Sequence, residues 1–317
     1  MDRSVAVLLG KRLCGGLVTL LLVSLMVFFI SSLLPGDAAQ QALGQFATPE
    51  QVTALRQEMG LNLPPLQRYW GWLSAFITGD FGRSLSNQMP ITALIDQRLW
   101  SSLTLAGVTA LISVPLALLL GVLSAMYQGR TLDRVLSVLT LSVAAAPEFL
   151  VATVAVLIFA VHLQWVPALT FAATIHSPLQ FLQTYVLPVG TLCCVIIALM
   201  ARMARAALID QLQLPYAEMA RLKGSSPARV VLKHALPNAV APIANAIALS
   251  LSYLLGGVVI VETIFNYPGV AQLMVDGVAN RDLPLIQACA MLFCLVYLGL
   301  FTCADLVSIF SNPKLRR

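Results

Sequence analysis

Long apolar runs separated by polar segments dominate the chain. The runs occupy residues 13–34, 103–126, 135–161, 186–201, 239–261 and 285–309, and their only charged residues are Glu148 and Asp305. A helix needs about 20 apolar residues to cross a bilayer, and backbone in lipid must satisfy its own hydrogen bonds. Runs of Leu, Val and Ala lack the alternation of a membrane β-barrel strand. The pattern therefore predicts an all-α, polytopic membrane protein with six transmembrane helices.

Composition excludes an ordinary soluble domain. Hydrophobic residues make up 59% of the 317 positions and charged residues 10%, whereas soluble domains contain about 45–50% and about 25% respectively. Basic residues precede the first run, as in a secretion signal. Its apolar core is too long for a signal, however, and Leu-Leu-Pro-Gly-Asp follows where a small-residue cleavage site would be expected. We expect an uncleaved spanning helix.

The distribution of Lys and Arg predicts the orientation of these helices. Segments 1–12, 127–134, 202–238 and 310–317 carry fourteen of the 19 basic residues, and segments 35–102, 162–185 and 262–284 carry five. Basic residues accumulate in cytoplasmic loops. Both termini are therefore predicted to be cytoplasmic, and the net charge of +5 requires no nucleic-acid partner.

The predicted organisation follows from these assignments. It consists of a cytoplasmic N-terminus (1–12), a first transmembrane helix (13–34), a periplasmic loop with short helices (35–102), a core of five transmembrane helices (103–309) that includes a polar cytoplasmic segment (208–237), and a cytoplasmic C-terminus (310–317).

No motif for catalysis or metal binding is present in the sequence. It contains no G-x-x-x-x-G-K-[ST] phosphate loop, no H-E-x-x-H and no G-x-S-x-G. All six cysteines fall within predicted spans, where they are expected to be small packing residues, and His162, His176 and His234 are dispersed. We predict a protein that is not an enzyme, with no catalytic residue, metal or cofactor of its own.

The polar segment between the fourth and fifth spans has the signals of two helices joined by a corner. Pro215 precedes a predicted helix Ala217–Lys223, and Gly224 can end it in a left-handed conformation. Ser226 can cap a second helix, with Pro227 at its first position, which runs to about His234 before Pro237 breaks it.

This arrangement is more ordered than a connecting loop requires. Small side chains at Ala217 and Ala220 are expected to let the first helix sit deep in a partner's groove, with Glu218, Arg221 and Lys223 as orienting charges. The alternative is a basic loop that merely obeys the positive-inside rule.

Several motifs then form an ordered series along nearly the whole chain. They are Leu34-Pro35-Gly36-Asp37, Gly79-Asp80-Phe81-Gly82-Arg83-Ser84, Glu218-x-Ala220-x-x-x-Gly224 with His234-x-Leu236-Pro237, Val261-Glu262-Thr263-Ile264-Phe265-Asn266-Tyr267-Pro268-Gly269-Val270, Arg281-Asp282-Leu283-Pro284-Leu285-Ile286-Gln287 and Asn312-Pro313-Lys314-Leu315-Arg316. Together they resemble permease subunits of bacterial ATP-binding-cassette (ABC) importers, and the third resembles their EAA signature. The chain is most similar to the peptide/nickel/opine branch, the dipeptide and oligopeptide permeases. It departs from the signature at Met219, where the family has Ala, and at His234, where many members have Ile.

The resemblance implies a type I importer permease fold and one half of a translocation pore in the bacterial inner membrane. It also implies a second homologous permease, two ATPase subunits that bind ATP and Mg²⁺, a periplasmic binding protein and surrounding lipid. The short helix would dock in a cleft of the ATPase, so that closure of the ATPase dimer moves the spanning helices from inward-open to outward-open. The implied coupling residues are Ala217, Glu218, Ala220, Arg221, Lys223, Gly224, His234, Leu236 and Pro237, with Glu218 and Gly224 the most sensitive to change.

The long loop 35–102 contains signals for two helices. Thr48-Pro49-Glu50-Gln51 is typical of a capped helix start. A second helix, about Leu66–Thr78, carries Tyr69, Trp70, Trp72 and Phe76. The two helices could form a lid or a docking surface for a substrate-delivering protein. The aromatics are equally suited to anchoring at the membrane interface without direct contact, and the sequence leaves these alternatives open.

Ionisable residues within or near spans are candidates for the translocation pathway or for gating. Glu148, predicted near the middle of the third span, could meet a cationic substrate group, pair with a neighbouring subunit or sit in a hydrated crevice. Glu262 and Asp305 lie near span ends, where snorkelling or capping is the simpler account, although Glu262 also matches a family motif. Arg202 and Arg205 share one helix face and are expected to anchor the fourth span.

The leading hypothesis is import of dipeptides or oligopeptides. Nickel, metal chelates and opine-like compounds remain alternatives within the same machinery. A stand-alone secondary transporter is the alternative from another class, but inverted repeats with interrupted helices would then be expected, and the sequence shows no internal repeat.

Overall fold

A computed structural model of the chain describes residues 3–33, 38–43, 47–58, 60–169 and 177–311. Within these ranges the regular structure is helical, apart from an isolated antiparallel bridge between Arg83 and Pro90. The α-helices are α1 (Arg3–Leu33), α2 (Ala38–Leu43), α3 (Pro49–Glu58), α4 (Pro65–Ile77), α5 (Ile91–Met126), α6 (Thr131–Ala145), α7 (Glu148–Ala155), α8 (Pro178–Leu212), α9 (Pro215–Leu222), α10 (Pro227–Arg229), α11 (Leu236–Asn238), α12 (Val240–Ile264), α13 (Val270–Ala279) and α14 (Leu283–Ser311). Stretches of π-helix occupy Val156–His162 and Val230–Ala235.

The apolar runs form helices long enough to cross a membrane. Candidate spans are Cys14–Ser31 within α1, α5, Leu179–Leu212 within α8, α12 and Leu283–Val307 within α14. The sixth is a broken pair, in which α6 and the helix Glu148–His162 meet at 97°. The all-α membrane fold predicted from the sequence is therefore confirmed, and the third span has a sharp bend that the sequence analysis did not predict.

Proline chemistry explains the break in the third span. Ala146 is extended (φ −78°, ψ 131°), as expected for a residue that precedes proline, and Pro147 forms the N-cap of α7. The ring of proline also clashes with the preceding helical turn. Glu148 consequently lies at the first residue of α7, beside the bend, instead of within a continuous helix.

The fifth helix begins well before the apolar run that predicts it. It starts at Ile91 instead of near residue 103, and its first turns bury Ile91 and Ile95. These first turns mix buried apolar residues with exposed polar ones. A search for continuous apolar runs therefore does not include them in the helix. The motif residues 34–37 and 312–316 lie outside the described residues.

The helices divide into two compact units. Unit 1 comprises residues 1–13, 103–267 and 297–317, and unit 2 comprises residues 14–102 and 268–296. In unit 1, α8 packs against α6, α7 and α12. In unit 2, Ile91 and Ile95 form a core with Val270, Leu273 and Leu285.

Two short helices in unit 2 match the predictions for the loop 35–102. Thr48 and Gln51 exchange the reciprocal hydrogen bonds of a capping box at the start of α3 (3.0 and 3.3 Å). On α4, Tyr69 is buried and its hydroxyl is 2.7 Å from that of Ser24 on α1. Tyr69 therefore holds α4 against α1, and interface anchoring was the wrong role for it; Trp70 is exposed.

Close contact between α5 and α8 in unit 1 depends on a glycine. A Cβ at Gly121 would lie 2.9 Å from the Cβ of Ala204 and 3.0 Å from the carbonyl oxygen of Ala201. We expect Gly121→Val to separate these helices and to cost about 1–3 kcal/mol, the usual range for overpacking. The measurement is the thermal unfolding midpoint of the protein purified in detergent.

Gly107→Val is the matched control, because Gly107 lies on the same helix with nothing within 4 Å of its added Cβ. Equal losses of stability in the two variants would show that the close contact at Gly121 is not needed.

Candidate functional site

The polar segment between α8 and α12, residues 215–239, is called here the corner segment. Its first helix, α9, follows α8 after only Gln213 and Leu214, and Pro215 occupies the first turn. The predicted helix Ala217–Lys223 is confirmed with both ends shifted by one or two residues, which is the normal uncertainty of helix ends.

Gly224 ends α9 in a Schellman motif. It adopts φ +80°, its N–H donates to the carbonyl of Arg221 (2.9 Å), and the N–H of Ser225 donates to that of Ala220 (3.1 Å). Nothing lies within 4 Å of an added Cβ at Gly224. This position therefore needs glycine for its backbone conformation and faces open space.

The second helix of the corner begins as predicted. The side chain of Ser226 accepts a hydrogen bond from the N–H of Arg229 (3.4 Å), and Pro227 is at the first helical position. The break predicted at Pro237 falls two residues later, because the chain stays helical to Asn238 and α12 begins at Val240. A π-helical stretch, Val230–Ala235, directly precedes the turn that contains Pro237, and its wider turns relieve the clash between a proline ring and the carbonyl four residues earlier.

One face of the corner segment packs against the spanning helices of unit 1. Ala217, Ala220, Val230, Val231 and Ala235 are buried in this face. They form a core with Ala125 on α5, Leu208 and Leu212 on α8, and Ile243 on α12. The expectation that the two alanines of α9 enter a partner's groove was therefore wrong. Their small size lets α9 approach its own chain.

The opposite face of α9 is exposed and partly apolar. Met219 is 52% exposed and Leu222 is 75% exposed, although both are large apolar side chains. Glu218, Arg221 and Lys223 are also exposed. The sequence contained this signal, because Tyr216, Met219 and Leu222 recur at the helical spacing of three residues, opposite Ala217 and Ala220.

Tyr216 connects the start of α9 to α8. Its hydroxyl donates to the side-chain oxygen of Gln211 (2.9 Å). Burial raises the pKa of the Tyr216 phenol, and a hydrogen bond with Asn238 partly offsets this. The phenol therefore remains protonated at physiological pH and can donate.

The other predicted coupling residues lie along the second helix of the corner. His234 is half-buried and its carbonyl accepts from the side chain of Asn238 (2.8 Å). Leu236 packs against the core that buries Ala217. Pro237 is exposed.

The two candidate acidic residues are both in unit 1, in different surroundings. Glu148 is half-buried, and its carboxylate lies so close to α12 that a Cβ on Gly257 would be 2.7 Å from one of its oxygens. Glu262, near the end of α12, is fully buried. Snorkelling was therefore the wrong account of Glu262. Asp305 on α14 instead pairs with Arg12 on α1 (3.2 Å).

Two of the sequence motifs meet in unit 2. The carboxylate of Asp282, fully buried, accepts hydrogen bonds from the hydroxyl of Ser84 and from the hydroxyl (3.2 Å) and N–H (3.3 Å) of Ser86. It also accepts from the N–H of Leu285 (3.4 Å), which caps α14. Asp282 thus ties the loop after α4 to the start of the last helix.

Several helices of the chain are long and apolar enough to cross a membrane, and the corner segment between two of them has a partly apolar exposed face. Residues 117–317 match the family described as "Binding-protein-dependent transport system inner membrane component". Residues 5–106 match "Binding-prot-dependent transport system membrane comp, N-term".

Curated relatives are similar to this chain over almost its whole length. The chain is 32% identical over 306 residues to the probable peptide ABC transporter permease protein y4tP of Sinorhizobium fredii, covering 96% of this chain and 98% of the relative. It is 35% identical to the glutathione transport system permease protein GsiC of Pectobacterium atrosepticum and 34% identical to GsiC of Escherichia coli K12, with 96% and 97% covered in both cases.

A solved structure shares the fold. The methionine ABC transporter MetNI, in an inward-facing conformation, matches with a TM-score of 0.55 at 18% identity, over 69% of this chain and 96% of the matched chain. The protein belongs to the binding-protein-dependent inner-membrane component family. It is a multi-pass permease subunit of an ABC importer, without a catalytic role of its own, and such subunits work with ATPase and binding-protein partners.

The Asp282 cluster generates a test of unit 2. We expect Asp282→Ala to lower the thermal unfolding midpoint of the purified protein, since it leaves the buried hydroxyl of Ser84 and the buried N–H of Leu285 without their acceptor, at about 1–3 kcal/mol for each. Asp80→Ala is the control, because Asp80 is exposed and accepts only from the N–H of Gly82 (3.0 Å) among the hydrogen bonds of the described residues. Similar midpoints for the two variants would rule out a structural role for the cluster.

Proposed function

We propose that this permease forms one half of a translocation pathway that imports small peptides, driven by ATPase subunits that act on the corner segment. A second homologous permease completes the pathway, two ATPase subunits bind ATP and Mg²⁺, and a periplasmic binding protein delivers the substrate. Both termini and the corner segment are cytoplasmic in this proposal, in keeping with the fourteen basic residues on that side.

The geometry of α9 carries the proposal. One face of this helix is buried against the spanning helices of its own chain, while the other offers Met219 and Leu222 among exposed charges. An exposed apolar patch rimmed by polar residues is typical of a protein-binding surface. A partner that moves α9 must also move α8, because only Gln213 and Leu214 separate them.

Peptides are the substrate class that the relatives favour. The curated relatives include a probable peptide permease and glutathione permeases, and glutathione is itself a peptide. The similarity covers 96% of the chain, so it includes the helices that would line the pathway.

Gly224→Glu tests the coupling role. The new side chain would project from the α9 corner into the space assigned to the ATPase, so we expect ATP-driven uptake to fall by at least about tenfold, equivalent to about 1.4 kcal/mol of lost coupling. The amount of permease in the membrane should fall by no more than about twofold, because open space surrounds the site and only the left-handed backbone conformation is strained. The measurement is uptake into proteoliposomes that contain the complete complex.

Gly79→Glu is the matched control. Gly79 ends α4 in the same Schellman geometry, with φ +84° and nothing within 4 Å of an added Cβ. Backbone strain and added charge are thus equal in the two variants. Normal uptake by Gly224→Glu, or uptake by this chain without any ATPase in response to an ion gradient, would disprove the coupling role.

Glu148 is proposed to face the pathway. It is the first residue of α7, beside the 97° break in the third span. A carboxylate within the membrane needs a compensating charge. No basic side chain pairs with Glu148 among the described residues, and the ammonium group of a peptide is suited to this role. Glu262 is fully buried and lies two residues before the end of α12. It is proposed to act in gating.

Glu148→Gln tests this assignment. We expect uptake of a dipeptide with a cationic side chain to fall by about tenfold, since an attraction of about 1.4 kcal/mol is lost, while uptake of a neutral dipeptide falls less. Both substrates are measured with the same proteoliposomes, so the neutral one is an internal control for assembly. Unchanged uptake of both peptides would remove Glu148 from the pathway.

A further inference from the structure

One ionic cluster in unit 1 was not predicted from the sequence. Asp133, at the start of α6, is buried and accepts two hydrogen bonds from the guanidinium of Arg205 on α8, at 2.7 Å from Nε and 2.8 Å from a terminal nitrogen. It also accepts from the hydroxyl of Ser124 on α5 and from the N–H of Gly129 (2.9 Å). The carboxylate is thereby fixed from three directions.

The contact between Asp133 and Arg205 fixes the relative position of two helices more than it adds to the stability of the protein. A two-bond contact between Arg and a carboxylate restricts distance and orientation more than a single ion pair does. Buried ion pairs add little net stability, because the cost of removing both charges from water offsets their attraction. Removing one partner, by contrast, leaves a buried charge uncompensated. The main effect of the pair is thus to hold α6 and α8 in one relative position.

The position of the pair connects it to the corner segment. Arg205 lies seven residues before the end of α8 at Leu212, which corresponds to about 10 Å along the helix. In the turn of α8 that leads up to Arg205, Ala201 and Ala204 lie against Gly121 on α5. A shift or rotation of α9 would therefore be transmitted through α8 to Arg205. The two residues that link α8 to α9 are the only non-helical part of this route.

The other member of the pair connects to the bent span. Asp133 is in the first turn of α6, and α6 ends at Ala145, next to the 97° break that places Glu148. Helix α6 therefore extends about 20 Å from the ion pair to the break.

We propose that the Asp133–Arg205 ion pair is the mechanical link by which movement of the corner segment reaches the bent third span. Both residues are positioning residues, since neither touches ATP or substrate in this proposal. The inference rests on the proposed coupling role of α9, and it adds the route from α9 to the pathway.

The test uses the complete importer in proteoliposomes, with peptide uptake and ATP hydrolysis measured on the same preparation. Asp133→Asn/Arg205→Met removes both charges, so no uncompensated charge is buried, and the Asn side-chain oxygen can still accept from Ser124 and Gly129. We expect uptake per ATP hydrolysed to fall by at least about tenfold, while assembly and ATP hydrolysis stay within about twofold. A purely structural role would lower the amount of assembled complex and leave uptake per ATP unchanged.

Arg205→Lys is a milder variant in case the double variant does not assemble. It keeps the positive charge but cannot form the planar two-bond contact, and we expect about a threefold loss of uptake per ATP with normal assembly. Asp305→Asn is the matched control, because it removes an ion pair between α1 and α14 in the same unit without touching α8.

Comparison with Gly224→Glu separates the two proposals. If Gly224→Glu abolishes uptake while both the double variant and Arg205→Lys keep normal uptake per ATP, the link is wrong and the coupling role of α9 stands. If Gly224→Glu has no effect, the coupling role itself fails, whatever the ion-pair variants show.

Discussion

Every backbone N–H and C=O in the hydrocarbon region must find a partner without water, and the rest of the structure depends on this constraint. It makes each apolar run helical and makes any interruption costly. At the break in the third span, local hydrogen bonds replace part of the lost helical ones. The N–H of Ala146 donates to the carbonyl of Val143 (3.1 Å). The N–H groups of Leu150 and Val151 both donate to the carbonyl of Pro147 (3.0 and 3.2 Å). The bend is therefore closed by local hydrogen bonds, and Glu148 is the first residue of the helix that follows it.

Features that depend on neighbouring residues could be predicted from the sequence. The capping of α3 by Thr48, the Ser226 cap with Pro227 behind it and the left-handed Gly224 all follow from bonds that span only a few positions. The spans themselves follow from hydropathy. Family membership required no structure, since the motifs occur in order along the chain.

Features that depend on residues distant in sequence could not be predicted in this way. Asp133 and Arg205 are 72 positions apart, and no local pattern pairs them. Helical spacing shows that Ala217 and Ala220 share a face, but it cannot show whether that face meets the protein's own core or a partner. The sharp bend was missed for a different reason: Pro147 was visible, yet prolines inside α5 and α8 are accommodated without such a break. The outcome depends on packing around each proline.

The division into two units also has a consequence for biosynthesis. Residues 103–267 of unit 1 form a continuous stretch of the chain, whereas unit 2 joins residues 14–102 to residues 268–296. Its contacts include the Ser84–Asp282 bond, which spans 198 positions. As the chain emerges from the ribosome, the first part of unit 2 must wait for the last helix before its core and the Asp282 cluster can close. Unit 2 can therefore close only after residues 268–296 have been synthesised, long after its first part has left the ribosome.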